Sequence, residues 1–333
     1  MSRFVVALCA SLLFGAAPAQ ALVQRAYVSA LTGNDANTAS NCPATAPCRW
    51  FAGAISVVAP GGEIVAMDTG AYGTVTITKS IAIVSAPGAY AGITVFAGNG
   101  VTVATAGVNV VLRGLTINNL GGDYGIAVTG GTSISIENCI VANFNTALKA
   151  GLYVDAATEV SVVQSLFRGN YRGAMFTGGA TARVSDSRFM RNQNVGVYTY
   201  SSSAGTTRVS AERTVSSANG LVGFYTFASA GSAYLALTDV LVSENADHGI
   251  EVQSTGGSSV VSITSSLISH NGDMGVYAYG AGTSVLVSDN TITRNDYGLY
   301  QAGSATFQTT GDNRISENTT SASSGTITTL TKL

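Results

Sequence analysis

Apolar and polar residues alternate along this chain in very short runs, at 63–67, 74–77, 81–84, 92–95, 101–103 and 108–112, each bounded by Gly, Asn, Pro or Lys. A period of two over so few residues predicts strands. Strands this closely spaced, with no helix between them, suit a sandwich or a coiled solenoid. Helical spacing occurs near the start, where Phe51, Ala54, Ile55 and Val58 fall on one face behind Pro47, after a short strand at 26–29 and a polar turn at 33–37. Pro opens a helix readily, so this run predicts an amphipathic helix.

A longer repeat decides between the two architectures. The triplets Val162, Phe167, Asn170 and Val184, Phe189, Asn192 recur as Leu237, Val242, Asn245, as Ile263, Ile268, Asn271 and as Val287, Ile292, Asn295. Asparagines from Asn143 to Asn318 are separated by 27, 22, 27, 26, 26, 24 and 23 residues. Such a quasi-period, carrying three short strands per repeat, is one rung of a right-handed parallel β-helix. The predicted organisation is all-β: a strand, loop and capping helix over 22–60, a parallel β-helix over 61–318, and a Ser/Thr-rich tail over 319–333 that packs on the last rung or frays. Phe307, Ile315 and Asn318 continue the rung with a three-residue insertion around 311–313. The asparagines are expected to stack as an internal hydrogen-bonded ladder.

Asn192, Asn219, Asn245, Asn271 and Asn295 are each followed, three or four residues on, by a glycine, an apolar residue and a large side chain: Gly196-Val197-Tyr198, Gly223-Phe224-Tyr225, Gly249-Ile250-Glu251, Gly275-Val276-Tyr277 and Gly298-Leu299-Tyr300. The glycine is expected to turn the chain and the apolar residue to fill the core. Strand alternation then leaves Tyr198, Tyr225, Glu251, Tyr277 and Tyr300 on the outer face, with Tyr200, Phe227, Gln253 and Tyr279 beside them.

Composition adds compartment. Arg3, an apolar stretch at 4–15 and Ala19-Gln20-Ala21 read as a signal peptide over 1–21, so the chain is expected to be exported, to the periplasm or beyond the cell. No apolar run is long enough to span a membrane. The formal charge of −2 gives no global case for nucleic acid as a partner. Cys42 and Cys48 are placed to close a small disulfide in an oxidising compartment, and Cys139 reads as a buried hydrophobe. No Cys/His set has zinc spacing, so no structural metal is expected. Asp35 between Asn34 and Asn37 is explained by Asx-turn chemistry more readily than by calcium, and no cofactor is called for.

The chain resembles the secreted right-handed parallel β-helix proteins of the pectin-lyase-like superfamily. The residues that carry this are 25–29 with Gly33-Asn34-Asp35, Ala46-Pro47-Cys48-Arg49, Ile77-Thr78-Lys79-Ser80, 111–117 and the Asn-to-Gly repeats. The resemblance spans nearly all of 22–318 and implies the fold. It also directs attention to acidic polysaccharides, on which enzymes of the superfamily act. Asp247-His248-Gly249-Ile250 is similar to the Gly-His-Gly-Ile segment of the polygalacturonases, with Asp247 in place of a glycine. The other polygalacturonase motifs have no counterpart.

Candidate chemistry falls into two sets. The first is catalytic: Asp247, His248, Glu251 and Asp273, with Asp247 and Glu251 or Glu251 and Asp273 as carboxyl pairs, and Arg191 as a lyase base. Arginines crowd into 168–213, giving net +5, and carboxylates into 239–296, giving net −6. Asp186, Asp239 and Asp289 read as turn-formers. The second set is the aromatic row, expected to form a flat strip that stacks on sugars or a ladder that stabilises the sheet. The favoured function is a polysaccharide-binding β-helix using this row. The alternatives are a polysaccharide lyase or glycoside hydrolase, and a structural spacer.

Overall fold

In the computed structural model, which describes residues 21–330, the chain coils so that each strand lies parallel to its equivalent one rung away. Three sheets result, of thirteen, eleven and eleven strands among the described residues, here called sheets 1, 2 and 3. One rung runs through Thr206–Glu212 in sheet 1, Val215–Ser217 in sheet 2 and Val222–Ala228 in sheet 3, then enters Ser232–Thr238 beside the first strand. The winding is right-handed, as right-twisted strands require of a parallel crossover. The signal peptide expected over 1–21 lies outside the described residues except for Ala21.

Alternation within each strand sends one set of side chains into the main core, and a smaller buried cluster of Val195, Tyr198 and Val222 forms apart from it. Every apolar pair of the repeat is buried in the main core, from Val162 and Phe167 through Val287 and Ile292. Identical positions stack from rung to rung, and Phe167 lies on Phe189 with ring centroids 5.0 Å apart. From Val75 onward strands of three to seven residues suffice, because neighbouring rungs complete each strand's hydrogen bonds.

Both corners flanking sheet 2 are turned by residues in the left-handed conformation. Asp186, Asp239 and Asp289, with φ of 52°, 53° and 55°, occupy the first corner, as expected of turn-formers. Arg191, Ala218, Glu244 and His270, with φ of 53°, 53°, 58° and 56°, occupy the second. This differs from the expected role of the glycine. Gly196, Gly223, Gly249, Gly275 and Gly298 have no positive φ; they are small because the next rung approaches closely. A Cβ on Gly223 would sit 2.6 Å from the Gly249 carbonyl oxygen and 2.8 Å from the Asn245 amide nitrogen.

A left-handed non-glycine residue costs roughly 1–2 kcal/mol, and the asparagine beside each second corner offsets it. Asn219 shows how. Its Oδ1 accepts from the Asn192 backbone N–H at 3.1 Å and from Asn192 Nδ2 at 2.9 Å. Its own Nδ2 donates to Asn245 Oδ1 at 2.9 Å and to the Phe189 carbonyl at 3.2 Å. This ladder runs from Asn170 to Asn318. Asn143 is not a member: Phe144 holds the ladder position, its N–H donating to Asn170 Oδ1 at 3.1 Å, and Asn143 is the left-handed residue before it. At the first corner a second ladder joins Ser266 to Asn290 and Asn290 to Asn313. Asn313 therefore belongs to the regular pattern. Phe307 pairs with Val285 and Thr309 with Val287, so the insertion near Gly311 is one residue and not three.

The ends also depart from expectation. The helix, α1 (Phe51–Val57), starts after Pro47, and Val58 already belongs to the strand Val58–Ala66, so the β-helix begins before residue 61. Phe51, Ala54, Ile55 and Val57 form its buried face over the apolar end of the stack. Cys42 and Cys48 are joined, with Cα atoms 5.1 Å apart, in the loop ahead of it. Asp35 Oδ1 accepts the backbone N–H groups of Arg49 and Trp50 at 2.9 and 3.1 Å, a structural use of that carboxylate. The expected tail adds to the stack: Ser321–Ser324 and Ile327–Thr329 pair with Tyr297–Ala302 and Thr306–Thr309.

Candidate functional site

The outer face of sheet 3 carries the candidate residues. Strand pairing aligns Tyr153, Met175, Tyr198, Tyr225, Glu251, Tyr277 and Tyr300 in one column, and Tyr200, Phe227, Gln253 and Tyr279 in the next. The predicted row is therefore continuous. Tyr153 and Met175 extend it by two rungs that the aromatic pattern did not include. Gly151-Leu152-Tyr153 and Gly173-Ala174-Met175 repeat the glycine, apolar, large-residue unit and were the available signal.

Ring geometry sharpens what such a column offers. Tyr198 and Tyr225 have centroids 4.9 Å apart and planes inclined by 5°; Tyr200 and Phe227 follow at 5.7 Å and 6°. Coplanar rings in contact would hold their centroids about 6–7 Å apart, so the Tyr198–Tyr225 pair is stacked face to face. The column is not uniform: further on, Tyr277 and Tyr300 meet edge to face, with centroids 5.7 Å apart and planes inclined by 70°. Tyr198 is almost wholly covered, and burial raises its hydroxyl pKa, as it does for Tyr225. The Tyr225 hydroxyl donates to Gln253 Oε1 at 2.8 Å. At the N-terminal side Arg172 lies over Tyr198, 5.2 Å from its centroid.

Glu251 interrupts the rings between Tyr225 and Tyr277. Burial among them, with the charge of Asp247 second, pushes its carboxyl up to about 7. Asp247 and His248 precede the same strand, and Asp273 stands one rung on, its N–H donating to the Asp247 carbonyl at 3.0 Å. His248 Nδ1 lies 3.4 Å from Asp247 Oδ1 and 3.8 Å from Asp273 Oδ2. The imidazole is buried and packs on Tyr277 at 5.0 Å. Its burial lowers the pKa against the pull of both carboxylates, leaving the neutral ring favoured near neutral pH. Burial, followed by the charges of Asp247 and Asp296, raises Asp273, with His248 opposing.

Sequence reasoning paired Glu251 with each aspartate. The structure brings Asp247 and Asp273 together, with donor atoms within 4.8 Å through His248. That spacing is below the roughly 6.5–9.5 Å of inverting glycosidases. Arg191 is not part of this group; it turns a corner two rungs before His248, about 10 Å along the axis. The basic window is partly neutralised, since Arg213 grips Asp186 at 2.8 and 3.0 Å.

Comparison with known proteins supports the architecture. No curated protein matches the chain. Among solved structures, pectate lyase Pel9A superposes with a TM-score of 0.58 at 18% identity, covering 87% of this chain and 75% of that one. The A-module of the Azotobacter vinelandii mannuronan C-5 epimerase AlgE4 gives 0.53 at 11%, covering 92% and 89%, and a rhamnogalacturonan lyase 0.51 at 12%, covering 83% and 75%. At these identities the likeness is one of fold. The family model described as right handed beta helix region matches residues 99–260 and 223–320. The chain belongs to the right-handed β-helix family.

Proposed function

We propose that the protein binds an extended polysaccharide along the outer face of sheet 3. The observation that carries this is the in-register column from Tyr153 to Tyr300 on the outer face of the sheet, its rings interrupted by Met175 and Glu251. From Tyr198 to Tyr300 it spans four rung steps, on the order of 19 Å. The rings offer apolar contact to sugar C–H groups, while the Tyr225 hydroxyl, Gln253 and Glu251 supply polar partners. Arg172 at one end and Asp247 with Asp273 at the other give the face a charge polarity by which an acidic chain is oriented. Three structures of similar fold are a pectate lyase, a rhamnogalacturonan lyase and a mannuronan epimerase, which makes acidic polysaccharides the first ligands to try. The bond joining Cys42 and Cys48 fits a protein that works outside the reducing cytoplasm.

The test is affinity electrophoresis through gels containing uronate or neutral polysaccharides. Wild-type protein is expected to be retarded by at least one of them. The triple variant Tyr198→Ala, Tyr225→Ala, Tyr277→Ala is expected to run freely while keeping its strand signature in circular dichroism. Equal retardation of wild type and a folded variant sinks the reading.

A second reading, a polysaccharide lyase or glycoside hydrolase, is favoured by Glu251, whose carboxyl near 7 suits acid–base work at neutral pH. Release of unsaturated uronates or reducing ends, lost in Glu251→Gln, is its signature. Retention without such products leaves the protein a binder.

A further inference from the structure

Asp247, His248 and Asp273 bring three donor atoms together beside the aromatic column, where the His248 ring packs on Tyr277. We propose that they bind one divalent cation of the zinc class, through His248 Nδ1 and one oxygen from each aspartate. The separations of 3.4 Å and 3.8 Å from the imidazole nitrogen, with all three atoms within 4.8 Å, are the first ground. Metal–donor distances of about 2.0–2.2 Å place atoms of one coordination shell roughly 3–4 Å apart. A single ion fits between them with small side-chain adjustment.

The orientation of His248 is the second ground. Its ring is wedged against Tyr277, and its side chain is only 11% exposed. Nδ1 faces the Met274 backbone N–H at 3.4 Å, so the lone pair lies on this nitrogen. At 3.4 Å that hydrogen bond is at the long, weak end of the range. The two carboxylates are 41% and 38% exposed, which leaves the remaining positions of the shell open to water.

Charge is the third. Several acids elsewhere are neutralised by a base on a neighbouring rung: Asp186 holds Arg213, Glu137 holds Arg113 and Glu317 holds Arg294. Among the described residues no Lys or Arg pairs with Asp247 or Asp273. Adjacent rungs thus stack Asp247 on Asp273 with no basic group between, and a divalent ion relieves that repulsion. One imidazole with two carboxylates favours zinc-class ions, since calcium takes six to eight oxygen ligands and these residues supply a nitrogen and few oxygens.

The inference does not require the glycan reading, because the ion can bind with the tyrosine face idle, but an ion held there would offset the negative end of that face. Full-length protein stripped with chelator is titrated with Zn²⁺ by calorimetry, and with Co²⁺ by visible absorption. One Zn²⁺ per chain is expected, weakened at least tenfold in His248→Ala and in Asp273→Asn, and unchanged in Asp289→Asn at a corner of the coil. The Co²⁺ spectrum should change in His248→Ala. Asp273→Asn alters an exposed side chain and keeps its shape, so it tests the site even if removing the buried imidazole unfolds the rung. Absence of Zn²⁺ binding, or affinity unchanged in folded His248→Ala and Asp273→Asn, overturns the proposal. So does calcium binding of equal strength that survives loss of His248.

Discussion

The asparagine ladder and the tyrosine column are built on the same rungs, a few residues apart, yet obey different rules. Inside the corner, each asparagine from Asn170 to Asn295 is buried and bonded to both neighbours, and a rung cannot change its residue without leaving a donor or acceptor unmatched. Outside, the column accepts Met175 among its rings and then a carboxyl, Glu251, which burial pushes to about 7. The ladder's uniformity follows from hydrogen-bond accounting. The column's irregularity does not, and a residue held at an energetic cost where the fold would accept another ring marks the place to look for function.

The comparison is broken most severely from the inside. Replacing Asn219 by Ala removes the acceptor of the Asn192 backbone N–H and the donor to the Phe189 carbonyl, both buried. A loss of about 3 kcal/mol is expected from those unmatched groups, read as a lower midpoint in urea denaturation. Tyr277→Ala on the outer face should cost clearly less. Equal costs would mean that the column, too, is primarily structural.

What the sequence revealed follows the same division. The ladder and core were legible because periodic burial forces periodic residues, so Asn170 through Asn318 and the pairs from Val162 to Ile292 could be read directly. Asn143 misled because asparagine also favours the left-handed corner, and the two positions are adjacent. Gly223 misled for a related reason: glycine signals a turn or a close approach, and only the neighbouring rung distinguishes them. Asp247, His248, Glu251 and Asp273 were singled out, but their grouping was not. Asp247 and Asp273 meet through a register that spans one rung, which residue types alone do not set.

A milder test asks whether Glu251 strains its surroundings. Its carboxyl is raised from 4.5 to about 7 in the folded chain, so between those values the folded state binds more protons than the unfolded one. Stability is then greatest below about 4.5 with respect to this group and is lost as pH rises through about 7. The loss should amount to roughly 2 kcal/mol after allowing for partial solvent access. In metal-free protein, urea midpoints across this window should fall with pH for wild type and flatten for Glu251→Gln. Parallel profiles would show that the carboxyl is well solvated and that the column carries no strain.

The smallest change separates the ring from its hydroxyl. Tyr225→Phe keeps the stack on Tyr198 and deletes the donor to Gln253 Oε1. Because Gln253 is partly exposed and water can replace that donor, stability should fall by no more than about 1 kcal/mol. Polysaccharide retention, if it uses the Tyr225 hydroxyl and Gln253 as polar partners, should drop several-fold in the same variant, measured by affinity electrophoresis. The reverse result, normal retention with a marked loss of stability, would assign the column to the same role as the asparagines: holding one rung to the next.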